Sequence, residues 1–157
     1  MAKTIKYLTI LLFSIAAISI ALGATFIYQA LDKEYWIKQA MRQEQVTLGI
    51  PEEAVKRGDV IDTADEAQKA ADLVREHRRN LAPTYQALLA GGRYDPGDPK
   101  HLTYTQALNM ENYLYMAVLA LGVTTAFRGI GTFMILSGAG IGIVGTLLFV
   151  QQRGNRG

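Results

Sequence analysis

Apolar positions along this chain gather in two blocks on either side of a mixed middle. Residues 8–28 carry no charge, and residues 114–150 carry one, Arg128. A helix rises about 1.5 Å per residue, so a bilayer core takes roughly 20 residues. Both blocks reach that length. The pattern predicts an all-α membrane protein with transmembrane helices over 8–28 and 128–150. These flank a small helical extracytoplasmic domain over 29–127, with short tails at 1–7 and 151–157. The second block is nearly twice the length of a span. The simplest solution is one long helix whose lower half crosses the membrane, with Arg128 near the headgroups, where a long cation can snorkel. The rival solution breaks the helix at Arg128-Gly-Ile-Gly131 and makes a further hairpin.

Seven of the chain's 15 glycines fall in 114–150. Gly131, Gly138 and Gly145 are seven apart, and Gly138 with Gly142 forms a GxxxG. Small residues on nearly one face let helix backbones approach closely. These four glycines are the candidate packing seam, facing either the first membrane helix or another copy or membrane-protein partner. Glycine is also simply frequent in membrane helices.

Charge orients the chain. All 14 acidic residues and 11 of the 16 basic ones lie between Asp32 and Glu111, so that segment carries −3. The other basic residues are Lys3, Lys6, Arg128, Arg153 and Arg156. Basic tails on both sides place both termini in the cytoplasm of a multi-pass plasma-membrane protein. The cationic start and Ala21-Leu-Gly23 also fit a signal peptide. The apolar run continues past the usual signal core, which favours an uncleaved anchor. Tyr28, Tyr35 and Trp36 suit an interfacial aromatic belt.

The middle reads as short helices joined by turns. Residues 29–45 lack Gly and Pro and continue the first helix, with Glu34 and Lys38 as an i,i+4 pair. Val46-Thr-Leu-Gly-Ile-Pro51 leans extended, and 52–57 offers one helical turn. Thr63-Ala-Asp-Glu66 is a capping box. The helix after it runs to about Arg79 and buries Ala67, Ala70, Ala71 and Val74, with His77 and Arg78 extending that stripe. Arg75, Arg78 and Arg79 complement the helix dipole at its end, or else contact an anion or lipid headgroup; Arg128, read as an interfacial anchor, is a separate candidate contact of that kind. Residues 82–90 form a short helix stopped by Gly91 and Gly92. Residues 93–99 are turn formers. Thr103-Tyr-Thr-Gln106 is a second capping box and starts the long helix.

Candidate chemistry is sparse. With no Cys, disulfides, Cys-ligated zinc and thiol catalysis are excluded. Asp95, Asp98 and His101 match neither an EF-hand nor a zinc spacing, and turn formation explains them better. No GxSxG, HExxH or P-loop is present. No cofactor or metal is implied, and there is no concentrated basic patch for nucleic acid.

Three stretches carry a resemblance. They are Lys38-Gln-Ala-Met-Arg-Gln-Glu-Gln-Val-Thr-Leu-Gly-Ile-Pro51, Asp62-Thr-Ala-Asp-Glu-Ala-Gln-Lys-Ala-Ala-Asp72 and Pro83-Thr-Tyr-Gln-Ala-Leu88. Together they resemble a family of uncharacterised bacterial two-span membrane proteins. The resemblance implies the same topology. Members are sometimes labelled aromatic ring-opening dioxygenases, a chemistry that needs an iron site of His and carboxylate ligands. Two scattered histidines do not supply it. The expectation is a non-enzymatic interaction partner or accessory subunit in the lipid bilayer. The alternative is an extracytoplasmic sensor or binding module for a small ligand or anion.

Overall fold

The computed structural model of the chain describes residues 2–44 and 60–154. The extended segment expected over 46–51 and the turn over 52–57 lie outside the described residues. Four helices follow one another: α1 (Ala2–Glu44), α2 (Ala64–Leu81), α3 (Tyr85–Leu89) and α4 (Pro99–Gly154). Among the described residues there is no strand. Both long helices are long and apolar enough to cross a membrane. At about 1.5 Å per residue, α1 is about 65 Å long and α4 about 84 Å. α4 passes through Arg128, Gly129 and Gly131 without a break, so the rival hairpin at that point does not form. The chain divides into two compact units, Met1–Lys33 with Thr124–Gly157, and Glu34–Val123.

The first unit is an antiparallel helix pair. Its side chains are large and apolar on the outside: Ile10, Leu11, Ile18 and Leu22 on α1, and Phe133, Leu136, Ile143 and Leu147 on α4, are all exposed. Between the helices the residues are small. A Cβ added at Gly131 would stand 2.6 Å from the carbonyl oxygen of Gly23, and one at Gly23 would stand 2.6 Å from that of Gly131. Only hydrogen fits at either position. A Cβ at Gly138 would meet Ile20 Cγ1 at 2.8 Å and the Ala16 carbonyl oxygen at 2.9 Å. At Gly145 the neighbours are Phe13 and Leu12, at 3.4 Å and beyond. Phe26 and Phe127 meet edge to face, 5.4 Å between centroids. Hydroxyls in this apolar pair find partners within it. Thr9, Thr25, Thr132 and Thr146 each donate to the carbonyl four residues back, the usual local solution for Thr in a helix. The Ser19 hydroxyl crosses to the Met134 carbonyl at 2.8 Å.

In the second unit, the capping box forms as the sequence predicts. The Thr63 hydroxyl accepts from the Glu66 N–H, and the Glu66 carboxylate accepts from the Thr63 N–H at 3.1 Å. The stripe Ala67, Ala70, Ala71 and Val74 is buried against Ile61 and Leu114. Arg78 extends that stripe while His77 stays exposed. The Glu34–Lys38 pair is present at 3.0 Å.

Two boundaries differ from the sequence pattern. The short helix expected over 82–90 starts later, at Tyr85, because Thr84 takes an extended backbone and accepts from the Ala87 N–H. It ends on Ala90 in the left-handed region at φ 46, ahead of Gly91 at φ 83. The long helix starts before Thr103. Asp98 accepts from the Lys100 N–H at 2.7 Å, and Pro99 takes the first helical position, where its missing N–H costs nothing. Thr103 is already inside the helix and donates to the Pro99 carbonyl.

The glycine contacts yield a paired prediction. Gly131→Ala forces two backbones apart and should cost about 1–3 kcal/mol, the usual range for overpacking. Gly129→Ala, on a position with nothing within 4 Å, should leave stability nearly unchanged. Thermal unfolding of the two variants in the same detergent, followed by circular dichroism, separates them.

Candidate functional site

Two features of the second unit have the makings of a site: an ionic cluster between α2 and α4, and an apolar groove beside it. Glu111 is the only acidic residue of α4, and it is buried at 6% exposure. Two guanidinium groups from α2 reach it. Arg78 Nε donates to Oε2 at 2.7 Å, and Arg75 Nε donates to Oε1 at 3.1 Å. The spacing explains the convergence. Arg75 and Arg78 are three apart and share a helix face. Tyr104, Glu111 and Tyr115 follow at seven and four, so they share a face of α4. Arg78 also donates to the Tyr104 hydroxyl and lies over its ring, while Arg75 lies over Tyr115 at 4.6 Å. Tyr115 donates to Asp72 Oδ1 at 2.6 Å. Two cations and two carboxylates thus close on themselves with no net charge.

The cluster fixes its own protonation states. Burial pushes the Glu111 carboxyl up, but the hydrogen bonds from Arg78 and Arg75 outweigh it and hold the group below the ordinary Glu value. Those bonds to Glu111 raise both arginines above their ordinary value. The hydrogen bond from Tyr115, helped by Gln68 and Arg75, lowers Asp72. Burial first, then the hydrogen bond to Asp72, pushes the Tyr115 hydroxyl up to about 12. Each group keeps its working charge state across the physiological range. The cluster is suited to holding α2 in place, not to exchanging protons near neutrality.

The groove has a volume of about 700 Å³. Its apolar wall includes Ala40 and Met41 of α1, Ile61, and Met110, Leu114 and Ala117 of α4. Gln43, Glu44, Gln106 and Asn109 also line it.

The candidate residues from the sequence separate accordingly. Gly131, Gly138 and Gly145 are buried and face α1, while Gly142 is half-buried with Ala16 Cβ at 3.7 Å from its would-be Cβ. Of the four candidate anion contacts, Arg75 and Arg78 are bonded to the chain's own Glu111. Arg79 is exposed, and Arg128 is half-buried in the first unit. Asp95, Asp98 and His101 serve the turn: Asp95 Oδ1 accepts from the Gly97 N–H, and His101 Nδ1 accepts from the Asp95 N–H. Among the described residues, no group of three or more His, Cys, Asp or Glu is placed to hold a metal.

The sequence pattern missed Glu111, Tyr104 and Gly23. A lone acid on a long helix, set against an Arg pair at i,i+3, was the available signal for the first. Gly23 was masked by its place in a cleavage-like pattern.

Two predictions come from the cluster. Glu111→Ala leaves two guanidinium groups without their carboxylate and should cost roughly 2–4 kcal/mol, against less than about 0.5 for Arg79→Ala. Urea unfolding of α2, read by hydrogen exchange, measures both. The second concerns pH. Glu111 and Asp72 are lower in the folded state, so their stabilisation is present above the unfolded carboxyl values near 4 and is lost as pH falls through the folded ones. Tyr115 is raised, so its contribution is intact below about 10 and is lost as pH climbs toward 12. Stability should be flat from about pH 5 to 9 and fall on both sides. Tyr115→Phe should remove its share of the alkaline loss, while a wild-type alkaline limb in that variant would assign the loss elsewhere.

Comparison with protein-family models, with curated proteins and with solved structures finds no match to this chain.

Proposed function

We propose that this chain is a two-span integral membrane protein whose work is association: an interaction partner or accessory subunit, with no catalytic step of its own. The carrying observation is the outer surface of the first unit. Phe133, Leu136, Ile143 and Leu147 are between 63% and 71% exposed along one helix, and an apolar face of that extent calls for lipid. Lys6 before the first span and Arg153 after the second fit cytoplasmic ends, with the unit Glu34–Val123 outside. The contact between Gly23 and Gly131 favours a retained first helix. A leader peptidase cutting after Gly23 would sever α1 at its tightest contact and strip α4 of the partner its glycines fit. The two-span resemblance agrees with this topology and adds no activity.

A second reading, a ligand-binding module, draws on the groove. Its anion-binding form has less support, because Arg75 and Arg78 spend their charge on Glu111.

Topology is tested by tag accessibility in intact cells, with tags at the N-terminus, after Pro96 and at the C-terminus. The expected outcome is a central tag reachable from outside and two terminal tags that are not. A reachable C-terminal tag would sink the two-span arrangement. An N-terminal tag missing from the mature protein would show that the first helix is cleaved.

A further inference from the structure

We propose that His101 is a proton-operated clasp: uptake of a proton at its Nδ1 releases residues 93–97 from the start of α4. The clasp lies within the second unit and is independent of the membrane reading above.

Both ring nitrogens are engaged, and their partners fix what each must be. Nδ1 stands 3.0 Å from the backbone nitrogen of Asp95 and accepts its N–H. A backbone N–H can only donate, so Nδ1 holds a lone pair and no hydrogen. Nε2 stands 3.3 Å from the Leu88 carbonyl oxygen, which can only accept, so Nε2 carries the hydrogen. This geometry requires the neutral ring. The ring also joins three pieces of chain. It projects from the first turn of α4, takes the loop at Asp95, and meets the end of α3 at Leu88. Tyr94 stacks on the imidazole with 5.6 Å between centroids, and its hydroxyl lies 3.1 Å from that of Thr105, one turn further along α4.

An imidazolium has no lone pair, so one of these contacts must break. With hydrogen on both nitrogens, Nδ1 meets the Asp95 N–H donor to donor, while the bond from Nε2 to Leu88 survives. The surrounding titratable groups offer no ready substitute. α3 contributes Tyr85 and no charge. The loop contributes Arg93, Tyr94, Asp95 and Asp98, and α4 contributes Lys100 and Tyr104. Both carboxylates already accept backbone N–H bonds, Asp95 from Gly97 at 2.8 Å and Asp98 from Lys100 at 2.7 Å. Both bonds are exposed, where water weakens the pull of a carboxylate on a cation. The N-terminal end of α4 disfavours a cation in its first turn. The second ring hydrogen therefore has no acceptor in the closed loop, and the Asp95 N–H loses the one it had. Acid favours the open loop, because only there is Nδ1 free to take the proton. The clasp is intact where imidazole is neutral and is lost as pH falls through the range, about 8 to 5, in which histidine changes charge. The event is confined to the loop, since none of the contacts of the Glu111 cluster involves His101.

The test follows the Asp95 amide of the full chain in detergent micelles by hydrogen exchange from about pH 8 to about pH 5. Exchange is expressed as protection relative to an unstructured peptide at each pH, and the His101 ring is read by nuclear magnetic resonance in the same samples. At the alkaline end the expected state is a protected Asp95 amide and a ring with its hydrogen on Nε2. Toward the acid end that protection should fall severalfold in step with ring protonation, while the amides of α2 keep theirs. His101→Gln offers an amide oxygen and an amide N–H that do not titrate, so its Asp95 protection, high or low, should be the same at both ends. His77→Gln, at an exposed position of α2, should behave as wild type. A neutral ring with its hydrogen on Nδ1, or constant Asp95 protection while the ring protonates, overturns the proposal. So does a wild-type pH response that survives in His101→Gln or disappears in His77→Gln.

Discussion

The helix pair of the first unit depends on how closely two backbones can approach. On the proposed membrane reading, the two apolar helices gain nothing from hiding apolar surface, because lipid covers it as well. What remains is van der Waals packing, and that falls off steeply with separation. Gly23 and Gly131 lie where each lacks a side chain and each carbonyl fills the space the other leaves. This contact makes others reachable. The Ser19 hydroxyl spans the gap to Met134 only because the axes are near, and Gln152 Nε2 reaches Thr9 Oγ1 at 3.1 Å. The glycines at 138 and 145 repeat the condition along α4 against Ala16, Ile20 and Phe13. A seven-residue step keeps them on nearly one face, so the register is set by where bulk is missing.

The second unit works differently, because α2 has little apolar surface to offer. Its buried set is three alanines, one valine and Arg78. Each buried methyl or methylene contributes on the order of 0.8 kcal/mol, so the stripe alone holds the helix only weakly and does little to fix its rotation. The Glu111 cluster supplies direction. A carboxylate with two oxygens accepting from two guanidinium groups defines both the height and the turn of α2 on α4. The buried Tyr104 ring covers Arg78 and keeps its pair with Glu111 out of water, while the Arg75 and Asp72 side chains stay in contact with solvent. A buried ion pair is a poor source of net stability and a good source of orientation, and orientation is what an alanine face lacks.

The sequence disclosed the large features because they rest on long-range composition. The charge-free run 8–28, the run 114–150 with Arg128 alone, and the lack of proline after position 99 gave both long helices, and the reciprocal Thr63–Glu66 pattern gave the start of α2. Starts governed by a single residue were harder to place. Asp98 and Thr103 are both good cap residues, and Pro99 at the first helical position decided for Asp98. The site residues were legible as types and not as partners. Three arginines at one helix end fit the dipole, fit an anion and fit an internal carboxylate equally well in one dimension. Only the fold brings residue 111 opposite residues 75 and 78. Gly23 shows the same limit. Its neighbours in sequence suggest processing, and its neighbour in space, Gly131, gives the role.

Packing also bears on where recognition resides. The face of α4 that carries Gly131, Gly138 and Gly145 is occupied by α1, so a second copy joining through it would have to displace a helix of the same chain. The remaining faces of the pair are bulky, and on the proposed membrane reading a partner there competes with lipid on nearly equal terms. Outside hydrocarbon the balance changes, because apolar surface facing water is costly at roughly 25 cal/mol per Å². In the unit Glu34–Val123, Tyr113, Met116 and Leu119 are 71%, 62% and 68% exposed. On the proposed topology these are among the apolar side chains, with Tyr35 and Trp36, that a ligand or partner would cover at a gain. Selectivity should therefore lie in this unit, while the glycine-packed pair holds the two long helices together.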